Sequence, residues 1–305
     1  MAKVKNPTRP LAVVNVLPQA DGQNKIVVCI MPDPAALAGE RESRAAIGLD
    51  ASLSIKEWFG TPGPFGGGTN YVQPVARKLG EILCGVTRDG KTNLFYWALG
   101  PGDEFEEIGT FGVKEMASAD VSGPKKHVWG KGTRLLPAVQ HVVETVGVGA
   151  AWVMGIIVTD GVIDDEPECM EYCRNLGQWL RENSHVTMKL VLIGLGPQVD
   201  ASQLVRFDDM FEGTELENDI DLWSHGLVLD IKDDEEIVGV VFGELMSEKI
   251  IVAPEGKVLD AGGNVVVRFS DGLPGKFQFL LPKGCRSFTL QAGGQEVVQD
   301  ISSVL

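Results

Sequence analysis

The sequence has few of the residues that build zinc sites or disulfide frameworks. Its 305 residues include only five cysteines and four histidines. The histidines are isolated, and none has a spacing typical of a zinc motif. The cysteines are odd in number and mostly scattered, which favours free thiols in a reducing compartment. We therefore expect a cytoplasmic protein whose function does not depend on zinc or disulfides.

Positive charge and long apolar runs are also scarce. Lys and Arg total 27 against 42 Asp and Glu, for a net charge of −15. Such a surface repels phosphodiesters, so we expect no nucleic-acid partner. The longest apolar stretch, residues 146–158, has 13 residues and includes three glycines. A membrane span needs about 20, so no membrane insertion is expected, and the start of the chain shows no convincing targeting segment.

The middle of the chain alternates strand-like and helix-like patterns. Several of the strand-like runs are apolar on both faces, as in sheets covered by helices on either side. This alternation predicts an α/β fold with a doubly wound, mostly parallel sheet. The predicted strands are 45–50, 93–99, 152–160, 188–194 and 226–231, and the predicted helices are 71–83, 134–146, 167–183 and 234–246.

Both ends of the chain have a different character, with short β-rich runs separated by Gly and Pro turns. A two-stranded hairpin is marginal in water, so the strands near the start need partners. We predict that residues 1–36 and 248–305 together build a small antiparallel β-sandwich, and that the α/β domain of residues 37–247 is inserted in it or joined to it.

The first predicted α/β strand ends in the stretch AAIGLDASLS, which places Asp50, Ser52 and Ser54 at every second position. Ligand sites in parallel α/β sheets lie beyond the carboxyl ends of the strands. Three hard oxygen ligands at such an end suit Mg²⁺ or Mn²⁺. The alternative is that Asp50 or Ser52 merely caps the helix that follows.

The pattern D-x-S-x-S after an apolar strand resembles the first element of the metal-ion-dependent adhesion site (MIDAS) of von Willebrand factor A (VWA) domains. The later elements of that site have counterparts in Gly132-Thr133 and Asp160-Gly161. The resemblance implies a VWA fold, which is Rossmann-like, and a Mg²⁺ or Mn²⁺ site, with Ca²⁺ less favoured. It also implies a protein partner that supplies a carboxylate to the metal. The ligands it implies are Asp50, Ser52, Ser54, Thr133 and Asp160.

Two features of the sequence leave the function open. Leu53 stands where the family has glycine, which allows the reading of a structural subunit with a vestigial metal site. A bound Mg²⁺ could also serve a metal-assisted phosphohydrolase. Against an enzyme, the sequence has no G-x-S-x-G elbow, no P-loop and no second acid two residues after Asp50. We therefore expect a binding module.

Three further stretches carry weaker signals. VQPVARKLGEIL and RDGKTNLFYWALG look similar to the bacterial tellurite-resistance and copine-like subgroup, which implies a stress-response context. The glycine-rich residues 61–71 lack the Lys-Ser/Thr ending of a P-loop. They predict a loop in which Thr69 or Asn70 caps the next helix. Asp164 and Asp165 predict a solvated loop, with a second, Ca²⁺-type site as the alternative.

Overall fold

A computed structural model describes residues 2–4, 7–8, 10–30, 42–60, 68–217, 219–228 and 251–305. In these residues the chain separates into an α/β unit, which lies between residues 42 and 228, and a β unit, which combines the two ends of the chain. The strands are β1 (Ala2–Lys3), β2 (Leu11–Pro18), β3 (Asn24–Ile30), β4 (Ser43–Asp50), β5 (Lys91–Leu99), β6 (Glu104–Gly112), β7 (Trp152–Thr159), β8 (Thr187–Leu195), β9 (Trp223–Val228), β10 (Ile251–Ala253), β11 (Gly256–Asp260), β12 (Val265–Phe269), β13 (Leu273–Pro274), β14 (Lys276–Leu281), β15 (Ser287–Ala292) and β16 (Gln295–Asp300). The α-helices are α1 (Val72–Cys84), α2 (Val113–Met116), α3 (Leu136–Gln140), α4 (Glu166–Glu182) and α5 (Ala201–Asp208).

The α/β unit is built on a six-stranded sheet with the order β6-β5-β4-β7-β8-β9. Its pairs are parallel except for β5 with β6, which is antiparallel. The central strands are almost entirely buried because helices cover the sheet. The strand order reverses between β4 and β7, so the topological switch point of the sheet lies between these two strands.

Two helices show how closely the apolar spacing defines local structure. Helix α1 buries Val72, Val75, Ala76, Leu79 and Leu83, which recur at the period of one helical face. Asn70 supports its first turn, because Asn70 Oδ1 accepts the Gln73 N–H at 2.9 Å. Helix α4 has proline in its first turn, where a missing N–H costs no helical bond.

The structure adds elements that the sequence pattern did not predict. Strand β6 (EFEEIGTFG) lies at the edge of the sheet and alternates poorly, since much of it is exposed. The predicted helix 134–146 consists of α3 followed by a π-helical turn at His141–Val146. Helix α5 was not predicted. The predicted helix 234–246 lies outside the described residues, as do most of the glycine-rich loop and the last part of the strand predicted at 226–231.

The β unit contains two four-stranded antiparallel sheets, with the orders β1-β2-β3-β14 and β12-β11-β15-β16. Strands β3 and β14 pair in register, for example Val28 with Phe277 and Ile26 with Phe279. A strand from near the start of the chain is therefore completed by one from near its end. Side chains of both sheets share a single apolar core, which includes Val28, Phe279 and Phe288.

The fold class predicted from the sequence is confirmed, with a central, mostly parallel sheet in an α/β unit and separate antiparallel sheets. The predicted domain boundaries at 36/37 and 247/248 lie outside the described residues and stay a prediction. No helix in the described part of the chain is both long and apolar enough to span a membrane.

Candidate metal centre

Two aspartates lie at the carboxyl edge of the sheet, beside the switch point. Asp50 is the last residue of β4, and Asp160 directly follows β7. These strands are parallel neighbours, with Leu49 in register with Val158. Because their carboxyl ends share one edge, the two acids converge where α/β folds place their ligands.

Asp50 is completely buried and its carboxylate is held at both oxygens. Its Oδ1 accepts the Ser52 N–H at 2.7 Å, a turn that Asp readily forms with the backbone two residues on. Its Oδ2 accepts the Thr159 hydroxyl at 2.7 Å. The side chain is therefore fixed by the loop after β4 and by the last residue of β7.

The two serines connect Asp50 to Asp160. Ser52 Oγ lies 2.9 Å from Ser54 Oγ, and Ser54 Oγ donates to Asp160 Oδ1 at 2.9 Å. Four of the five predicted ligands are thus joined in one hydrogen-bonded group. The period-two spacing of the acid and the two hydroxyls lets the loop turn all of them toward the same place.

Thr133 lies on the segment that leads into α3, and it is 7% exposed. A Cβ placed on Gly161 would lie 3.6 Å from Thr133 Oγ1, so the hydroxyl faces the loop after Asp160. Among the hydrogen bonds of the described residues, none joins Thr133 Oγ1 to the other four side chains. The structure brings Thr133 beside the group without linking it directly.

The electrostatics of the two aspartates are unusual. Burial raises the pKa of Asp50 to about 6, and the nearby Asp160 carboxylate contributes to the rise. Burial also raises the pKa of Asp160. Within the described part of the chain, no Lys or Arg forms an ion pair with either acid. Two carboxylates are therefore withdrawn from water with no Lys or Arg of the described residues paired to them.

The donor chemistry fits a hard divalent cation. The five side chains offer two carboxylates and three hydroxyls, which are the oxygen donors that Mg²⁺ and Mn²⁺ prefer. No group of three or more His, Cys, Asp and Glu side chains able to hold a metal occurs in the described residues. A metal at this place would hence depend on hydroxyl oxygens, and it would find no soft nitrogen or sulfur ligand among the five.

The loop after β4 is held in place by Gly130. Gly130 N–H donates to Ala51 C=O at 2.9 Å, and Leu53 N–H donates to Gly130 C=O at 2.9 Å. A Cβ on Gly130 would lie 1.6 Å from the Ala98 carbonyl oxygen, so only glycine fits here. Ala98 itself has a φ of 59°, which is strained for a residue with a side chain.

Leu53, the residue between the two serines, fits the loop after β4 without such strain. Ala98 is the one non-glycine residue with a positive φ in the described part of the chain, so Leu53 keeps an ordinary backbone conformation. Its side chain is 53% exposed, between the two serines in sequence. The position therefore does not require glycine in this chain.

The solvated loop predicted at Asp164 and Asp165 is wrong for Asp165, which is 2% exposed. Its carboxylate accepts the N–H groups of Leu135 and Leu136, at 2.6 and 3.0 Å. Asp164 Oδ2 accepts the Thr133 N–H at 2.7 Å. Both acids bind the backbone that leads into α3. The N–H partners of Asp165 lie about 30 residues earlier in the chain, so the sequence spacing does not reveal them.

Thr159 is the participant that sequence reasoning missed. Its hydroxyl donates to Asp50, and its Oγ1 accepts the Gly161 N–H at 3.3 Å. The available signal was a hydroxyl residue at the end of a buried strand, directly before Asp160. Only the pairing of β4 with β7 brings that hydroxyl to Asp50.

Comparison with known proteins gives distant likenesses only. No family model matches the chain, and no curated protein matches it. Solved structures similar to it include proximal thread matrix protein 1 from the mussel byssus, with a zinc-occupied MIDAS motif, at 17% identity and a TM-score of 0.43 over 72% of this chain and 48% of that one. The VWA domain of SpRpn10 is 14% identical, with a TM-score of 0.38 over 64% of this chain and 93% of that one.

A third similar structure is the manganese-loaded TRAP protein of Plasmodium vivax, at 16% identity and a TM-score of 0.36 over 75% of this chain and 78% of that one. This chain spans about half the length of the mussel byssus protein. Because the identities and TM-scores are low, the roles of residues in this chain rest on its own geometry.

Proposed function

We propose that the α/β unit is a binding module of the VWA type, which recognises an acidic group of a protein partner in a divalent-metal-dependent way. Mg²⁺ or Mn²⁺ is the proposed metal, with Ca²⁺ less favoured. The proposed ligands are Asp50, Ser52, Ser54, Thr133 and Asp160. The β unit would then be a spacer or a second contact surface.

One observation carries the proposal, the convergence of the buried Asp50 and Asp160 at the switch point with serine hydroxyls between them. Two buried carboxylates are costly without a cation, and burial raises the pKa of both, with the Asp160 carboxylate adding to the rise at Asp50. This arrangement of donors supports a cation site at the switch point.

The residues of the proposed metal site have different roles. Asp50 and Asp160 supply negative charge, while Thr159 and the Ser52 N–H hold the Asp50 carboxylate in one orientation. A bound divalent cation would offer a coordination position to the carboxylate of a partner. The Ser52 and Ser54 hydroxyls, which now bond to each other and to Asp160, can turn their lone pairs toward a cation.

The first test is thermal unfolding of the wild-type protein and of Asp50→Ala in EDTA, Mg²⁺, Mn²⁺ and Ca²⁺. Ligand at a hundred times its dissociation constant stabilises by about 2.7 kcal/mol, which raises the midpoint by several degrees. We expect the rise in the wild type and not in Asp50→Ala. The matched control is Asp260→Ala in the β unit, which should keep the full metal response. Equal responses in all three proteins would remove Asp50 from the site.

The second test asks whether a carboxylate binds to the metal. Water-proton relaxation reports how many waters remain on protein-bound Mn²⁺. We expect that acetate, as a stand-in for an acidic side chain, lowers the relaxation enhancement in the wild type, whereas the same concentration of chloride does not. An enhancement that stays constant through an acetate titration would contradict recognition of an acidic group.

We propose binding rather than catalysis. In the described part of the chain, the hydrogen-bond partners of the Ser52 and Ser54 side chains include Asp160 and no histidine. Neither hydroxyl therefore has a histidine beside it that could act as a general base. Metal-dependent turnover of a phosphoester that is lost in Asp50→Ala would favour the phosphohydrolase alternative. Absence of metal response in every condition would favour a structural subunit with a vestigial site.

We also propose a bacterial stress-response complex in the cytoplasm as the context. The support is the likeness of two sequence stretches to tellurite-resistance proteins, which here form α1 and β5. The five cysteines form no disulfide, as a reducing compartment favours. A bacterial strain that lacks the gene should tolerate less tellurite than its parent, and equal tolerance would argue against this context.

A further inference from the structure

Asp164 makes two hydrogen bonds to one residue, Thr133. Its carboxylate Oδ2 accepts the Thr133 N–H at 2.7 Å, and its own N–H donates to the Thr133 C=O at 2.9 Å. Both main-chain polar groups of Thr133 are therefore bound by the same residue. Asp164 belongs to the loop that follows Asp160, so this pairing joins two of the three chain segments that contribute to the site.

The neighbouring N–H groups of the Thr133 segment have other anchors. Arg134 N–H donates to Gly102 C=O at 3.2 Å, and the N–H groups of Leu135 and Leu136 donate to Asp165. These bonds fix the start of α3. Among the described residues, the hydrogen bonds to the Thr133 backbone both come from Asp164, and they hold the backbone from which the Thr133 hydroxyl projects.

We propose that Asp164 is a positioning residue for the metal site. It holds Thr133 so that the Thr133 hydroxyl lies beside the loop that follows Asp160. The inference rests on the proposed function, since it concerns how one proposed ligand is held. Thr133 Oγ1 faces Gly161, where a Cβ would lie 3.6 Å from it. With no direct hydrogen bond to the other four proposed ligands, Thr133 depends on its backbone for its place.

Asp164 is not itself a metal ligand in this proposal. Its Oδ2 is engaged by the Thr133 N–H, and a Cβ on Gly132 would lie 3.0 Å from that same oxygen. The space beside the carboxylate is therefore occupied by the backbone of residues 132 and 133. Partners that orient metal ligands from outside the ligand set change metal affinity by about 10–100-fold when they are removed.

The test measures Mn²⁺ dissociation constants from the electron paramagnetic resonance signal of free Mn²⁺, in the full chain. The variants are Asp164→Ala, Asp164→Asn, Thr133→Ala and the double variant Asp164→Ala/Thr133→Ala. We expect Asp164→Ala to weaken Mn²⁺ binding by about tenfold. Asp164→Asn keeps an oxygen that can accept the Thr133 N–H, so it should retain most of the affinity although its charge is gone.

The double variant separates positioning from a direct or long-range effect. If Asp164 acts through Thr133, then Asp164→Ala should weaken binding no further once Thr133 is alanine. An equal loss in both backgrounds, or an equal loss in Asp164→Asn and Asp164→Ala, would overturn the proposal. Unfolding midpoints in EDTA verify that each variant is folded, and Asp164→Asn serves if Asp164→Ala is not.

The outcomes also distinguish this inference from the proposed function. Wild-type protein that binds no Mn²⁺ would overturn both. Wild-type binding that Thr133→Ala weakens and Asp164→Ala leaves unchanged would overturn the positioning role alone.

Discussion

Two aspartates of the β unit and two of the α/β unit have opposite environments. In the β unit, Asp260 is half-buried and Asp300 is exposed, and they accept hydrogen bonds at turns, from Asn264 and from Ser302. These bonds lower the pKa of both carboxyls. In the α/β unit, Asp50 and Asp160 are buried at the sheet edge, and burial raises the pKa of both.

The difference shows which acids stabilise the fold and which lower its stability. An exposed acid that accepts N–H and O–H bonds stabilises its turn in the ionised form. A buried pair of acids destabilises the folded state at neutral pH unless a cation joins it. The unbalanced pair of Asp50 and Asp160 is the feature on which the proposed metal site in the α/β unit rests.

The largest effect is expected from Gly130→Ala, which disrupts the packing that holds the loop after β4. A methyl group at Gly130 would meet the Ala98 carbonyl oxygen at 1.6 Å, and that oxygen is a backbone atom that cannot rotate away. We expect a loss of about 3 kcal/mol in the free energy of unfolding, measured in urea. Gly263→Ala in the β unit is the control. Gly263 has a positive φ but open space around it, so its loss should be about 1 kcal/mol. Similar losses at both positions would contradict the close packing of the loop.

Metal affinity should depend on pH through the buried acids. Burial raises the pKa of Asp50 to about 6, and the protonated carboxyl cannot bind a cation. We expect Mn²⁺ affinity to be constant well above pH 6 and to fall about tenfold per pH unit below it. Calorimetric titrations between pH 5 and 8 would measure this. A constant affinity down to pH 5 would show that Asp50 is not the group that binds the metal.

A smaller effect of opposite sign is expected from Asp50→Asn in the absence of metal. The pKa of Asp50 in the fold lies above 3.8, so its contribution to stability is greatest below pH 3.8 and is lost as the pH rises through about 6. At pH 7 the asparagine side chain of the variant is neutral, so the destabilisation by an ionised Asp50 is absent, but the hydrogen bond from the Thr159 hydroxyl is disturbed. The net expected gain is about 1 kcal/mol in EDTA, as a raised unfolding midpoint.

The matched variant Asp260→Asn in the β unit should lower the midpoint instead. The depressed pKa of Asp260 means that its ionised form stabilises the fold above pH 3.8, a contribution lost on acidification below that value. If both asparagine variants shift the midpoint in the same direction, the contrast between the two units does not hold.

Much of the architecture could be predicted from the sequence because local patterns carry it. The apolar spacing predicted 71–83 and 167–183 as helices, within one residue of α1 and α4 at each end. Apolar runs on both faces predicted the parallel strands. Strand β6 escaped prediction because an exposed edge strand has no apolar alternation to detect. Helix α5 has only eight residues, too few for a clear periodic pattern.

For the site, the sequence determined the chemistry of the donors, since Asp50, Ser52 and Ser54 follow one strand at a fixed spacing. It did not determine the environment of each donor. Whether an aspartate is exposed, as Asp300 is, or buried, as Asp50 is, depends on which strands pair beside it. The bonds from Thr159 to Asp50 and from Asp164 to Thr133 join residues distant in sequence. These bonds exist because the parallel pairing of strands and the return of the chain across the switch point bring those residues to one edge of the sheet. Only the tertiary structure determines which residues meet there.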